Sequence, residues 1–186
     1  GINRTTSTAV RHGPSHLGGR EVFDFETEQG IQHTKLIIAH LRKNDEVSKL
    51  LSISLDHLQL QAGVPWPVLS QPGYSQRLYV DPCYLSHTWE FLDDIGNHLH
   101  LEQDKWIHPQ QTGDRFLMED FASLPDIRPI QLVHAQRCRL FLGVTTLADI
   151  SHSNGRMLCN WAITGQPPPC HSVFHYPQQA RPSPQV

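Results

Sequence analysis

The sequence predicts a mainly α protein, a single irregular helical bundle with short extended segments and disordered tails. Three observations carry that expectation. Residues 45–63 form an amphipathic segment marked at both ends, a second apolar segment over 27–43 joins it through a very short link, and Pro82 and Pro129 each precede a further periodic run. Proline suits the first turn of a helix, where its missing N–H has no intrahelical partner anyway. A chain of 186 residues is long enough to bury one real core. The expected division is a basic arm over 1–24, a helical domain over 25–165 and a Pro-rich extended tail over 166–186.

Residues 1–20 hold Gly, Ser, Thr and Pro without periodicity, and their only charges apart from histidine are Arg4, Arg11 and Arg20. A segment with so little to bury is expected to stay disordered. From Thr27, the spacing of Ile31, Thr34, Ile38 and Leu41 predicts a helix, with Arg42 and Lys43 suiting its C-terminal dipole. Asp45 then caps a second helix whose expected inner stripe is Val47, Leu50, Leu51, Ser54, Leu55 and Leu58, and Gly63 supplies the left-handed turn that closes it. So short a link makes the two helices an antiparallel hairpin.

The following VPWPVLSQPGYSQ is rich in Pro and Gly and reads as an extended connection. Asp81 and Pro82 restart helix as cap and first residue, with Leu85, Trp89, Leu92 and Ile95 inward and Gly96 at the end. Alternation over 98–102 predicts a short strand. A short helix over 114–124 turns Leu117, Phe121 and Leu124 inward, and the helix over 130–142 places Ile130, Val133, Arg137 and Phe141 on one side. Asn154-Gly155 marks a tight turn. Leu51, Leu55, Leu58, Trp89 and Phe141 are the expected core.

The net charge of −3 gives phosphate backbones little to hold by electrostatics alone. Four cysteines without close pairs point to a reducing, intracellular compartment. No apolar run approaches the roughly 20 residues of a membrane span. With Gly1 first and Met118 and Met157 the only methionines, the sequence reads as a piece of a longer frame.

Candidate chemistry is thin. Cys159, Cys170, His171 and His175 read as C-x10-C-H-x3-H, whose last pair suits zinc but which lacks the close cysteine pair that opens structural zinc sites. His98, His100 and Asp104 are a possible metal or acid–base set, against the plainer solvent face of an edge strand. Ser86 and His87 are neighbours and point to different sides of a helix, so they cannot act as nucleophile and base. No nucleophile elbow, P-loop or dinucleotide fingerprint occurs. The expectation is therefore no catalytic residue, no metal and no cofactor. Arg4, Arg11, Arg20, Arg137 and Arg139 are the candidate contacts to nucleic acid, although Arg137 also falls on the core stripe.

The order of GIQHTKLIIAHLRKNDEVSKLLSISLDHLQLQAG, DPCYLSHTWEFL, DRFLMEDF and QRCRLFLGVTTLADI with NGR resembles a helical region of retrotransposon polyproteins, over about residues 29–182. In that family such a region accompanies a reverse transcriptase. Tyr79-Val80-Asp81 is half of a YxDD box, but Pro82 replaces the second aspartate. No polymerase, endonuclease or RNase H carboxylate set carries over. The resemblance implies a non-catalytic accessory or interaction region, with RNA, DNA or other parts of the same polyprotein as partners. The alternatives are a metal- or histidine-dependent hydrolase and a generic intracellular protein-interaction module. Metal content separates the first alternative, and an upstream polymerase palm separates the second.

Overall fold

The computed structural model describes residues 7–22, 24–73, 77, 79–101 and 113–165. Among them the protein is mainly helical, with eight α-helices: α1 Thr8–His12, α2 Phe25–Lys43, α3 Glu46–Ala62, α4 Tyr84–Asp94, α5 Leu117–Ala122, α6 Pro129–Leu142, α7 Leu147–Ile150 and α8 Asn160–Thr164. None is long and apolar enough to cross a membrane. Within the basic arm, residues 7–22 fold back locally, with the Val22 N–H donating to the Arg11 carbonyl and the Arg20 N–H to that of Val10.

Helices α2 and α3 have the ends that their sequences specify. Asn44 takes the left-handed conformation (φ 52°) after α2, and Asp45 caps α3 by accepting from the Ser48 amide at 2.9 Å. Gly63 (φ 66°) closes α3, its N–H donating to the Gln59 carbonyl. The amide of Ser48, and then His40 beside it, hold the Asp45 carboxyl below its ordinary value. A depressed carboxyl pKa contributes stability above the unfolded value, about 3.9, and loses it as pH falls through the folded value. The Tm difference between wild type and Asp45→Ala is therefore expected to be full at pH 6 and to shrink steadily below about pH 4. A difference that stays constant to pH 2 would contradict the cap.

The buried face of α3 is rotated from the expected stripe. Ser48, Leu55, Leu58, Gln59 and Ala62 face inward, Leu51 is half-buried, and Ser54 is exposed. Val47 and Leu50 stand 44% and 64% exposed. Polar residues occupy the inner face because they are small or satisfied, as where Gln59 Nε2 donates to the Val64 carbonyl at 3.2 Å. The core centres on Ile37, Leu55, Leu58, Leu69, Trp89 and Met118. Phe141, expected there, is only half-buried.

Helix α2 packs on both α3 and α4. Gly30 is buried in α2 beneath Phe91 of α4, and a Cβ at this position would overlap the ring. Gly30→Ala gains up to about 1 kcal/mol of helix preference but incurs about 1–3 kcal/mol of overpacking, so a net loss is expected. In a Phe91→Ala background the same substitution should become stabilising. Denaturant melts of the four proteins check that change of sign, which a distant pair would not give.

Helix α4 starts later than Asp81 and Pro82 suggest. Cys83 is its cap, with Sγ accepting from the Ser86 amide at 3.4 Å while Ser86 Oγ accepts from the Cys83 amide at 2.7 Å. This reciprocal pair displaces Asp81 from the capping role. The strand expected over 98–102 does not form over 98–101. The backbone there is irregular, although the Leu99 N–H donates to the Leu69 carbonyl at 2.7 Å and both Leu99 and Leu101 pack on the core. The only β pairing among the described residues is two isolated bridges, Phe116 with Thr146 and Ser151 with Leu158, the second flanking the Asn154-Gly155 turn. In the helix expected over 114–124, only 117–122 is helical, with Leu117 and Met118 buried and Leu124 exposed.

Candidate interaction groove

The C-terminal end of α3 is fixed from two distant parts of the chain. A helix leaves its last four carbonyls without intrahelical donors. Here the Gly63 N–H serves Gln59, Arg139 serves Leu60 and Gln61, Gln136 also serves Gln61, and the Tyr79 hydroxyl donates to Ala62 at 2.8 Å. Arg139 is 2% exposed and also reaches Gln136 Oε1 through Nε at 3.1 Å and Nη2 at 2.9 Å. Burial pushes the Tyr79 hydroxyl up to about 12, because a phenolate there would lose its hydration. It remains a donor throughout the physiological range.

With that end anchored, the outer flank of α3 forms one wall of a groove whose other wall is the lead into α4. Leu58 and Leu85 are buried along it, Ile53 is 64% exposed at its lip, and Ser54, His57, Asp81 and Cys83 are its exposed polar residues. The volume is about 410 Å³, in the range of small binding pockets. Asp81 Oδ2 accepts from the neutral Gln61 Nε2 at 3.0 Å, and among the described residues no cation pairs with this carboxylate. Along α3, Val47, Leu50 and Ile53 follow at i, i+3 and i+6 and lead an exposed apolar row into the groove. A second cavity of about 360 Å³ lies beside Asp114, Arg115, Leu147 and Arg156. Its charges are largely matched within the protein, since Arg115 pairs with Asp120 at 3.3 Å and Asp114 accepts from the Arg115 and Ala148 amides.

The residues singled out by sequence do not converge on this groove. His98 and His100 are exposed, while Asp104 lies outside the described residues. Cys159 is half-buried, and Cys170, His171 and His175 lie outside the described residues. Among the described residues, no three His, Cys, Asp or Glu side chains gather as metal ligands. Ser86 is fully buried and its Oγ is committed to Cys83, while His87 lies outside beside Glu90. Tyr79 of the partial YxDD box is a core residue, and only Asp81 of that stretch reaches the surface.

The basic set also divides. Arg139 cannot meet a phosphate, because it is in the core and its donors go to carbonyls and Gln136. It was Arg137, placed on the core stripe by sequence, that emerged exposed. Arg20 is exposed, Arg11 is half-buried and Arg4 lies outside the described residues. The groove itself was missed by sequence reading. Its one available signal was the apolar excess of α3, whose stripe is wider than a single buried face needs.

Together the fold and groove define a mainly helical protein with an apolar-floored surface groove that carries one carboxylate. No protein-family model, curated protein or solved structure matches this chain.

Proposed function

We propose that this chain is a non-catalytic accessory region of a retroelement polyprotein that works by binding a neighbouring protein segment. The polyprotein context rests on the resemblance of the four helical segments and NGR described above. The protein contact rests on one observation, the exposed row Val47, Leu50 and Ile53 that runs into the groove. Contiguous apolar side chains on a surface otherwise rich in polar residues mark an interaction site more often than single exposed ones do. Nucleic acid is the weaker partner, since the net charge is −3 and one of the five candidate arginines is internal.

The test joins this chain to the natural reading frame that precedes it. That frame is expected to encode a polymerase palm with paired aspartates, and the two purified parts are expected to associate. Leu50→Asp with Ile53→Asp should weaken the association at least about tenfold, or about 1.4 kcal/mol, without moving the Tm of this chain. A frame lacking a palm would overturn the context. Association indifferent to the double substitution would overturn the surface.

A further inference from the structure

We infer that the groove between α3 and the start of α4 receives a basic amphipathic helix, seating an apolar side chain over Leu58 and Leu85 and a lysine or arginine against Asp81. The inference deepens the protein-contact reading above and rests on it. The walls come first. Leu58 and Leu85 give the groove an apolar floor, and Ile53 extends it to the exposed row of Leu50 and Val47. From Val47 to Gln61 that flank of α3 spans roughly 21 Å at the helical rise, about four turns of an incoming helix.

Charge then selects the partner. Asp81 is the one acidic residue on the groove lining, it is exposed, and among the described residues it pairs with no cation. On the outer row Lys49 and Glu46 neutralise each other at 2.8 Å, and Asp56, exposed at the next i+3 position after Ile53, adds a second carboxylate to that flank. An acidic segment or a phosphate backbone would bring like charge to Asp81, whereas a basic one meets a carboxylate of opposite charge. Backbone geometry selects the form. Strand addition needs an open sheet edge, where the described residues hold only isolated bridges, and a polyproline segment needs a groove lined by Phe, Tyr or Trp, which this lining lacks, so a helix laid into the groove is the mode that fits.

Cys83 supplies the readout, since its thiol is exposed on the groove lining while Cys138 and Cys159 are only partly exposed elsewhere. The full chain is alkylated with iodoacetamide in the presence of either of two designed 18-residue amphipathic helices, one of Leu and Lys and one of Leu and Glu. Mass spectrometry then follows each cysteine separately. At roughly nine times its Kd, the Leu/Lys helix is expected to slow Cys83 about tenfold while leaving Cys159 unchanged. The Leu/Glu helix should not protect. Asp81→Lys is expected to invert the preference, a reversal that loss of folding cannot produce. Equal protection by both helices, protection by neither, or an unchanged preference in Asp81→Lys would overturn the inference. If neither helix protects Cys83 while Leu50→Asp with Ile53→Asp still breaks the polyprotein contact, the groove assignment fails and the protein-contact reading stands.

Discussion

Arg139→Leu is expected to destabilise the protein by about 3–5 kcal/mol, because it strips donors from several buried acceptors at once. The Leu60 carbonyl loses its Arg139 donor, and Gln136 Oε1 loses two bonds, while Gln61 keeps its bond from Gln136. Each abandoned buried acceptor costs about 1–3 kcal/mol, and relief of the guanidinium's own desolvation offsets part of the sum. Arg139→Lys should rescue little, since an ammonium group cannot reproduce the planar fork that reaches the Leu60, Gln61 and Val144 carbonyls and an amide oxygen together. Urea melts read both effects. A loss under about 1 kcal/mol for the leucine variant would mean that water reaches the end of α3 and that the anchoring described here is unnecessary.

Trp89→Ala is expected to cost a similar amount, about 3–5 kcal/mol, for a different reason. The ring is 1% exposed, its Nε1 donates to the Gln71 carbonyl at 2.9 Å, and it meets Trp66 edge-on with centroids 6.0 Å apart. The Arg77 guanidinium lies 5.0 Å from the Trp66 ring and 5.8 Å from the Trp89 ring, and it is 8% exposed. Removing one of the two rings leaves a cavity and weakens the stabilisation of a buried cation. Trp89→Phe, which keeps an aromatic face but abandons the Gln71 carbonyl, should fall between wild type and alanine. Denaturation followed by circular dichroism ranks the three. A phenylalanine variant as unstable as alanine would place most of the cost in the hydrogen bond.

The helices were legible where their signals were local. Asp45 and Gly63 each act within four residues of their own positions, so the limits of α3 could be read directly. The start of α4 lies beyond the Asp81-Pro82 signal because the reciprocal Cys83–Ser86 exchange, between residue types less usual in that role, caps the helix instead. The phase of α3 was misread for a related reason: Val47 and Leu50 look like core residues, yet Ser48 and Gln59 are inside. Arg137 and Arg139 exchanged their expected places because the carbonyls that hold Arg139 belong to residues far back in the chain, where no periodicity within α6 reveals them. The groove depends on bringing residues 53–58 beside residues 81–85, which spacing alone does not show.

The separation between Arg139 and its acceptors also sets an order of events during synthesis. The Leu60 carbonyl must wait for a donor 79 residues further along. A ribosome adding about 5–20 residues per second needs roughly 4–16 s to supply it. Through that interval Gly63 and Tyr79 serve Gln59 and Ala62 while Leu60 lacks its donor, so a nascent chain halted before residue 139 carries the hairpin without its clamp. Deletion fragments ending short of this arginine should therefore engage chaperones and be degraded, whereas those that extend past Gly143 should accumulate.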